Sequence, residues 1–397
     1  MELARRVMSI QPSPTLAVDA KAKSLKAAGV DVISFGVGEP DFRTPAHICA
    51  AAKEAIDQGF HGYTAADGMP ELKKAVAEKF KRDNGLDYTT DQVIINVGGK
   101  HSSYLLMQAL INDGDEVIVP APYWVSYPPM VILAGGVPVI VPTREADDFK
   151  LNLADLKKAI TKKTKAIFIN SPSNPTGSVY SADELKPLAQ LCADHGIIIV
   201  SDEMYEPILF GGRKFVSTAS LGQKIFEHTC TLNGVSKAYA MTGWRIGYMA
   251  GPQPLIKACA KIQSQSTSNP TSISQKAALT ALNGPQDEVE RMRAEFEKRL
   301  AYILGRLRAM PGVTCSEPGG AFYVFPNLSA YFGKKFGDKV IKGSLELSDY
   351  LLEESHIATV PGVAFGEDSC VRFSFATSME LIAKGMDRLQ EGLAKLK

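Results

Sequence analysis

The sequence predicts an α/β fold with two lobes: a larger one built on a mostly parallel sheet flanked by helices, and a smaller α+β one. With 397 residues, the chain is longer than one compact core usually supports. Short apolar runs alternate with helix-like segments along much of the sequence. The run 196–200 is continuously apolar, which is typical of a strand that is covered on both faces.

The composition excludes several classes of protein. The net charge is +1, so no general basic surface for nucleic acid is expected. The longest apolar runs are shorter than a membrane span, and the N-terminal residues lead into no secretory signal. The six cysteines are scattered without a CxxC pair, so we expect no disulfide framework and no metal site. A reducing cytoplasm fits this pattern.

The N-terminal part is predicted to be an arm followed by small-lobe elements. Residues 1–14 form the arm, in which Pro12 and Pro14 break any helix. A helix over 18–28 and a strand over 30–35 come next. The turn-rich segment that follows contains Gly38, and a glycine there permits the backbone to approach a ligand closely. A plain loop between the lobes is the alternative.

Two helices and a strand-loop-helix unit begin the larger lobe. The helices are predicted over 45–58 and 70–84, the second from an apolar stripe. A strand over 92–97, the pair Gly98-Gly99 and a helix over 103–111 follow, which is a geometry that presents backbone N–H groups to a phosphate. Lys100 opposes the helix dipole there, so a bound phosphate or carboxylate would compensate it, unless the lysine is simply solvated.

The middle of the chain continues the alternation, with polar residues just after the strands. Asn174 lies in a double-proline turn in which we expect at least one cis X-Pro bond. Asp202 follows an apolar strand, where open α/β sheets bind ligands. Trp124, Asp202 and Tyr205 could also be packing or capping residues. The predicted strands are 115–120, 136–141, 165–170 and 196–200, and the helices are 153–160 and 182–195.

Lys237 and Arg245 carry the strongest chemical signal. Lys237 follows a strand-like run, 229–232, and Arg245 is predicted inside a strand over 244–250. An arginine buried in an apolar strand needs an anion, and its planar donors suit phosphate. A lysine that forms a Schiff base beside a phosphate-binding arginine is what pyridoxal phosphate (PLP) chemistry requires.

The C-terminal part is predicted to complete the smaller lobe. Helices are expected over 256–267 and 289–309, the second bridging the lobes. In the run 370–375, alternation places Arg372 on the face opposite Val371 and Phe373. An arginine facing a cleft suits a bidentate carboxylate, whereas one on an edge strand would face solvent.

These motifs together resemble the class I aminotransferases of fold type I. Ser236-Lys237 with Gly243, Arg245 and Gly247 is similar to their PLP-lysine signature, and the stretch 240–248 is similar to that of bacterial aspartate aminotransferases. Gly-Glu-Pro-Asp-Phe at 38–42, Asn-Pro-Thr-Gly at 174–177 and Val-Arg-Phe-Ser at 371–374 carry the same resemblance. One departure is Gly234, where the family commonly has a phosphate-binding serine, so Ser236 or backbone groups must take that share.

The resemblance implies an architecture and an assembly. It implies a seven-stranded, mostly parallel sheet in the large domain and a homodimer whose active sites are shared across the interface. Tyr63 would then reach the cofactor phosphate of the neighbouring subunit. The implied domains are an arm 1–14, a small-domain part 15–47, a large domain 48–290, and a linking helix with the rest of the small domain, 291–397.

The resemblance also implies the roles of the site residues. Lys237, Asp202 and Tyr205 would be catalytic, with Asp202 on the pyridine nitrogen and both Asn174 and Tyr205 on the phenolic oxygen. The implied cofactor-binding set is Tyr63, Gly99, Lys100, Trp124, Asn174, Asp202, Tyr205, Ser236, Lys237 and Arg245. The implied substrate-binding set is Gly38, Lys100, Trp124, Asn174 and Arg372.

The expected function is transfer of the amino group of L-aspartate to 2-oxoglutarate. Lys100 favours a dicarboxylic substrate, but the sequence leaves aromatic amino acids and prephenate open. A PLP-dependent β-lyase or a cyclopropane-forming synthase on the same fold is a further alternative. A regulator with an aminotransferase-like domain would need a DNA-binding head and a basic segment, and neither is expected here.

Overall fold

The computed structural model describes residues 1–397 and is organised around one large twisted sheet. The strands, in chain order, are β1 (Ile33–Ser34), β2 (Val93–Asn96), β3 (Glu116–Ala121), β4 (Val137–Pro142), β5 (Thr164–Asn170), β6 (Ile198–Asp202), β7 (Thr229–Gly234), β8 (Gly247–Ala250), β9 (Tyr323–Val324), β10 (Lys335–Phe336), β11 (Lys339–Val340), β12 (Ile357–Ala358), β13 (Val360–Pro361) and β14 (Val371–Ser374).

The helices surround this sheet and build the second lobe. They are α1 (Arg5–Met8), α2 (Pro14–Ala27), α3 (Ala46–Asp57), α4 (Pro70–Asn84), α5 (Gly99–Leu110), α6 (Tyr127–Leu133), α7 (Leu153–Ala159), α8 (Ala182–Asp194), α9 (Gln223–Phe226), α10 (Gln253–Ser266), α11 (Ser272–Asn283), α12 (Asp287–Arg308), α13 (Ser344–Glu354) and α14 (Met379–Ala394). None of them combines the length and the apolar composition needed to cross a bilayer.

The large sheet has seven strands in the order β2-β8-β7-β6-β5-β3-β4. β8 runs antiparallel to both of its neighbours, and the other neighbouring strands are parallel. The prediction of a mostly parallel seven-stranded sheet is therefore confirmed. Every residue of β7 is buried, as expected for a strand that helices cover on both faces. The carboxyl ends of β5, β6 and β7 meet at one edge, where a ligand site is expected.

The second lobe joins the two ends of the chain. β1 pairs with β12 in parallel, while β13, β14 and β9 form a three-stranded antiparallel sheet. Their core is rich in aromatic residues and includes Phe35, Phe322 and Phe373. The long helix α12 contributes Val289 to the core beneath the large sheet and Phe296 to the core of the second lobe.

Several element boundaries differ from the predicted ones. Pro14 does not break a helix but begins α2, because a proline in the first turn lacks only an N–H that would have no partner there. The arm itself contains the short α1. Helix α5 begins at Gly99 rather than at 103, which places Lys100 in its first turn. Sequence patterns missed α6, α9, α11, α13 and α14.

Candidate active site

A cavity of about 340 Å³ lies at the carboxyl ends of β5, β6 and β7, between the large sheet and the second lobe. It brings together every predicted site residue except Tyr63, whose side chain is 94% exposed and lies elsewhere. The lining residues are Thr15, Gly38, Gly99, Lys100, Trp124, Tyr127, Asn170, Asn174, Asp202, Met204, Tyr205, Ser236, Lys237, Arg245, Tyr323 and Arg372.

Lys237 lies in the turn after β7 and is partly buried. Its Nζ donates a hydrogen bond to the carbonyl oxygen of Gly38 at 2.6 Å. Burial lowers the pKa of Lys237 to about 8, an effect that Glu39 opposes and that Arg245 and Arg372 reinforce. The neutral amine, which is the form that acts as a nucleophile or base, is therefore accessible close to neutral pH.

Asp202 is the last residue of β6 and points its carboxylate at two donors. Tyr127 Oη donates to Asp202 Oδ2 at 2.7 Å, and the Met204 amide donates to Oδ1 at 3.2 Å. The Tyr127 ring is itself stacked on Phe168 with the centroids 4.1 Å apart. Burial raises the pKa of Asp202, while these two donors and Lys237 oppose the rise. The carboxylate thus has a fixed orientation in the cavity floor.

The start of α5 and the turn before β8 form a close-packed corner of the cavity. Gly98 has a φ of 79°, and a Cβ on it would collide with the Arg245 guanidinium. A Cβ on Gly247 would collide with the backbone of Gly98 and Gly99. The amide end of α5 can therefore approach a ligand, and Ser236 is buried beside Lys237 on the same cavity wall.

The prediction that Arg245 lies in a strand is wrong. β8 begins at Gly247, and Arg245 has a φ of 54°, which no strand residue adopts. The argument from burial in an apolar strand therefore does not apply to Arg245. The Arg245 side chain is exposed at the cavity edge, and its Nη1 donates to the carbonyl oxygen of Thr242 at 2.9 Å. Its position beside the start of α5, rather than its burial, makes it a candidate anion ligand.

Arg372 is buried in β14, with 2% of its surface exposed. Its Nη1 donates to Asn174 Oδ1 at 2.9 Å and its Nη2 donates to the carbonyl oxygen of Gly36 at 2.7 Å. Its buried Nε has no partner within the chain. The guanidinium also lies over the Tyr323 ring, 4.6 Å from the centroid. A buried arginine with donor capacity to spare suits an anionic ligand.

Asn174 follows β5 in a turn with two cis bonds, before Pro172 and before Pro175, so the expectation of a cis X-Pro bond there is confirmed. The Asn174 amide N–H donates to Asn170 Oδ1 at 2.8 Å, and its Oδ1 accepts from Arg372. Its Nδ2 makes no hydrogen bond within the chain and can donate to a ligand.

Gly38, Tyr205 and Tyr323 form another wall of the cavity. The hydroxyls of Tyr205 and Tyr323 are 2.8 Å apart. A Cβ on Gly38 would come within 2.6 Å of Tyr323 Oη, so a larger residue there would displace the Tyr323 side chain.

Lys100 lies at the mouth of the cavity. Its Nζ is 5.0 Å from the centroid of the Trp124 ring. Although the side chain as a whole is exposed, partial desolvation of the ammonium and the charge of Arg245 lower its pKa. Trp124 in turn packs edge-on against Tyr127. Lys100 and Trp124 therefore place a cationic and an aromatic side chain next to each other at the mouth of the cavity.

Sequence reasoning missed five residues of the lining. Met204 directly precedes Tyr205, and Tyr127 and Asn170 lie three and four residues from Trp124 and Asn174. Tyr323 is remote in sequence from every predicted site residue. Thr15 comes from the start of α2, and nothing in the local sequence connects that helix with the cavity. Only the folding of the N-terminal segment across the site brings it there.

The lining fits PLP. Four cationic side chains, those of Lys100, Lys237, Arg245 and Arg372, surround the single carboxylate of Asp202. Arg372 Nε has no partner within the chain and can donate to an anion. The close-packed glycines at the start of α5 leave room for an anion beside the backbone amides. A phosphorylated ring with a basic nitrogen, together with a carboxylate substrate, satisfies this donor set.

Comparison with known proteins gives a consistent result. The sequence model "Aminotransferase class I and II" matches residues 30–389. The chain is 52% identical over 392 residues to an aspartate aminotransferase of Geobacillus stearothermophilus, covering 98% of each chain. It is 50% identical to an aspartate/prephenate aminotransferase of Cereibacter sphaeroides, covering 98% of this chain and 97% of that one.

A solved structure agrees with these relatives. The aspartate aminotransferase of Rhizobium meliloti superposes with a TM-score of 0.97 at 44% identity and full coverage of both chains. Such agreement over the whole length includes both the sheet and the second lobe. The chain belongs to the class I and II aminotransferases, and its cofactor is PLP.

Proposed function

We propose that the chain is an aspartate aminotransferase, which converts L-aspartate and 2-oxoglutarate into oxaloacetate and L-glutamate. The observation that carries this proposal is the pairing of two cations at one cavity. The buried Arg372 is suited to the α-carboxylate, and Lys100 at the mouth is suited to a second, distal carboxylate. The names of the relatives from Geobacillus and Rhizobium support the same substrate.

Several residues of the cavity would bind different parts of the cofactor. Bound PLP supplies an electron sink for the negative charge that develops at Cα of the amino acid. Asp202 keeps the ring nitrogen protonated, and the orientation given by Tyr127 supports this role. Trp124 would lie against the ring, and Asn174 and Tyr205 would donate to the phenolic oxygen. The phosphate would be held by Ser236, Arg245, the Gly99 amide and, from the neighbouring subunit, Tyr63.

Lys237 performs the proton transfer. Its Nζ would accept the proton from Cα of the amino acid and would then return it to a carbon of the cofactor. This requires the neutral amine, which the lowered pKa of about 8 makes available. Arg372 and Asn174 fix the α-carboxylate, and Gly38 leaves room beside it, so the Cα–H bond has a single orientation toward Lys237.

A broader substrate range is the second candidate. The relative from Cereibacter carries the name aspartate/prephenate aminotransferase, and prephenate shares a carboxylate that Lys100 could bind. The aromatic border of Trp124 would also accept an apolar ring. A β-lyase on the same scaffold would instead release pyruvate and ammonia from a cysteine conjugate.

The domain organisation and assembly belong to the same proposal. The arm is 1–14, the large domain is 48–290, and the small domain comprises 15–47 and 291–397. The split of α12 between two cores supports a linking helix near its start. A homodimer is supported by the isolated, exposed Tyr63, which contacts no part of its own cavity. Six unpaired cysteines support a cytoplasmic location.

The test is a spectroscopic titration of the purified, PLP-loaded protein with L-aspartate alone. We expect the absorption band of the pyridoxal form to convert to that of the pyridoxamine form and to return when 2-oxoglutarate is added. Lys237→Ala should show neither change. A stable band that aspartate does not convert would reject aspartate as the substrate, and the aromatic amino acids would then be titrated in its place.

A further inference from the structure

A buried ion pair lies behind Lys237, outside the cavity. Lys79 of α4 and Glu206, which follows β6, are 5% and 7% exposed, and Lys79 Nζ donates directly to Glu206 Oε2. Neither residue lines the cavity. A buried pair of this kind is often no more stabilising than an apolar pair of the same volume, so stability alone does not explain it.

Glu206 accepts hydrogen bonds from three side chains, two on α4 and one on β7. Its Oε1 accepts from Asn84 Nδ2 at 2.7 Å, at the end of α4. Its Oε2 accepts from Asn233 Nδ2 at 2.6 Å, near the end of β7. Lys79 supplies the compensating charge and also donates to Asn84 Oδ1 at 2.9 Å. The carboxylate is therefore held rigidly between the helix and the strand.

Asn233 connects this pair to the lysine. It is 2% exposed, and only three residues separate it from Lys237 along the chain. Its Oδ1 accepts from the Gly234 amide at 2.8 Å. Gly234 packs tightly, since a Cβ there would lie 3.1 Å from Gly247 Cα. The turn that carries Lys237 leaves the strand at this point, so the orientation of Asn233 constrains its direction.

We propose that Glu206 is a positioning residue for Lys237: through Asn233 it fixes the end of β7 and so aims the Lys237 amine into the cavity. The pair with Lys79 anchors Glu206 to α4. This inference rests on the proposed role of Lys237. A displacement of a reacting group by 1 Å can cost up to about 100-fold in rate, so a distant tether of this kind has a measurable effect.

The test compares two alanine variants that each remove one donor to Glu206. Asn233→Ala removes the tether to β7, whereas Asn84→Ala removes a donor of the same kind without touching β7. Four quantities are measured on the PLP-loaded proteins: kcat and KM for L-aspartate, the pH midpoint of the absorption band of Lys237-bound PLP, and the melting temperature. Both variants should melt at a lower temperature, because each loses a buried hydrogen bond.

Only Asn233→Ala should change the chemistry. We expect kcat to fall about tenfold and the spectral pH midpoint to shift, with KM unchanged because Arg372 and Lys100 lie on other elements. Asn84→Ala should keep the wild-type kcat and midpoint. If Asn233→Ala does not fold, Asn233→Ser, which loses the same reach to Glu206, carries the same expectation.

Two outcomes would overturn the inference. One is a wild-type kcat and midpoint in the folded Asn233 variant. The other is an equal change in both variants, which would mean that Glu206 only stabilises the fold. A wild-type protein without any Lys237-dependent band would instead reject the proposed function itself, so the two failures are distinguishable.

Discussion

At the scale of single residues, the cavity is governed by where charge is buried and where it is balanced. Lys237 and Arg372 are cations among few anions, and the one lining carboxylate, Asp202, is fixed by Tyr127 and a backbone amide. A site of this charge attracts a ligand with more than one anionic group. Two predictions belong to this scale.

The first concerns Lys100 and the choice of substrate. Replacing Lys100 by methionine keeps the length and the contact with Trp124 but removes the charge. We expect kcat/KM for L-aspartate to fall by about 100-fold, which corresponds to the loss of about 3 kcal/mol of charge-assisted binding. For an aromatic donor the change should be less than about threefold, because no distal carboxylate is present.

Lys334→Met is the matched control for this substitution. Lys334 lies over the Tyr331 ring at 5.1 Å, much as Lys100 lies over Trp124, but it is far from the cavity. Steady-state kinetics should show no effect of this change on either donor. An equal loss for aspartate and for the aromatic donor in Lys100→Met would show that Lys100 binds the cofactor rather than the substrate.

The second prediction concerns Glu203 and pH. Burial, followed by the charge of Glu206, raises the pKa of Glu203 from 4.5 to about 8, against donors from Ser201, Ser217 and the Thr218 amide. The unfolded chain releases this proton near pH 4.5, whereas the folded protein keeps it up to about pH 8. The stabilisation is therefore complete at low pH and is lost as the pH rises toward about 8.

Glu203→Gln should remove this dependence. Between about pH 5 and pH 8, the unfolding free energy of the wild type should gain a downward slope of at most about 1.4 kcal/mol per pH unit that the variant lacks. Urea unfolding at fixed protein concentration measures it. Glu227→Gln, at an exposed carboxylate, should leave the slope unchanged. Equal slopes in wild type and Glu203→Gln would mean that Glu203 is already ionised in the folded protein.

At the scale of elements, the start of α5 and the start of β8 depend on each other. Gly247 packs so closely on Gly98 and Gly99 that a methyl group has no space, and overpacking of this kind typically costs about 1–3 kcal/mol. A methyl group at Gly247 would therefore displace the Gly99 amide, which is proposed to hold the phosphate. Helix α5 and strand β8 thus form one structural unit although they are distant in sequence.

Gly247→Ala should therefore weaken PLP binding, by at least about tenfold in Kd, through displacement of the Gly99 amide. Equilibrium titration of the cofactor-free protein with PLP measures the effect. Gly243→Ala provides the comparison, because a Cβ at Gly243 meets no atom within 4 Å. Wild-type affinity in Gly247→Ala would show that the backbone at the start of α5 does not contribute to the phosphate site.

At the scale of the whole molecule, one proposed phosphate ligand lies outside its own cavity. Tyr63 is 94% exposed, and a large exposed aromatic side chain is typical of an interface. If Tyr63 serves the neighbouring subunit, a dimer of two different inactive chains contains one site with both Tyr63 and Lys237 intact. The other site lacks both.

Co-expression of Tyr63→Ala with Lys237→Ala tests this arrangement. We expect mixed dimers, isolated with two different affinity tags, to regain up to about half of the wild-type activity at limiting PLP, while each variant alone remains weak or inactive. Mixed dimers without that gain would show that each chain completes its own site. Gel filtration that finds only monomers would lead to the same conclusion.

Elements could be predicted from the sequence where the interactions that form them are local along the chain. They were missed or misassigned where the sequence carries no local pattern. Helix α4 was predicted with its observed bounds because its apolar stripe, Pro70 and Gly85 all act locally. Arg245 was assigned to a strand because a left-handed residue between two apolar ones leaves no periodic signal. Helix α11 was missed because its small, mostly buried residues lack a clear polar face.

The sequence by itself determined the sheet class, the family resemblance and most of the lining residues. These follow from local periodicity and from motifs whose residues lie close together along the chain. Only the tertiary structure decided that Thr15, Tyr127 and Tyr323 join the cavity, that Arg372 keeps one donor without a partner, and that Glu206 ties α4 to β7. These contacts join residues far apart in sequence, and their geometry arises only when the lobes and the sheet pack together.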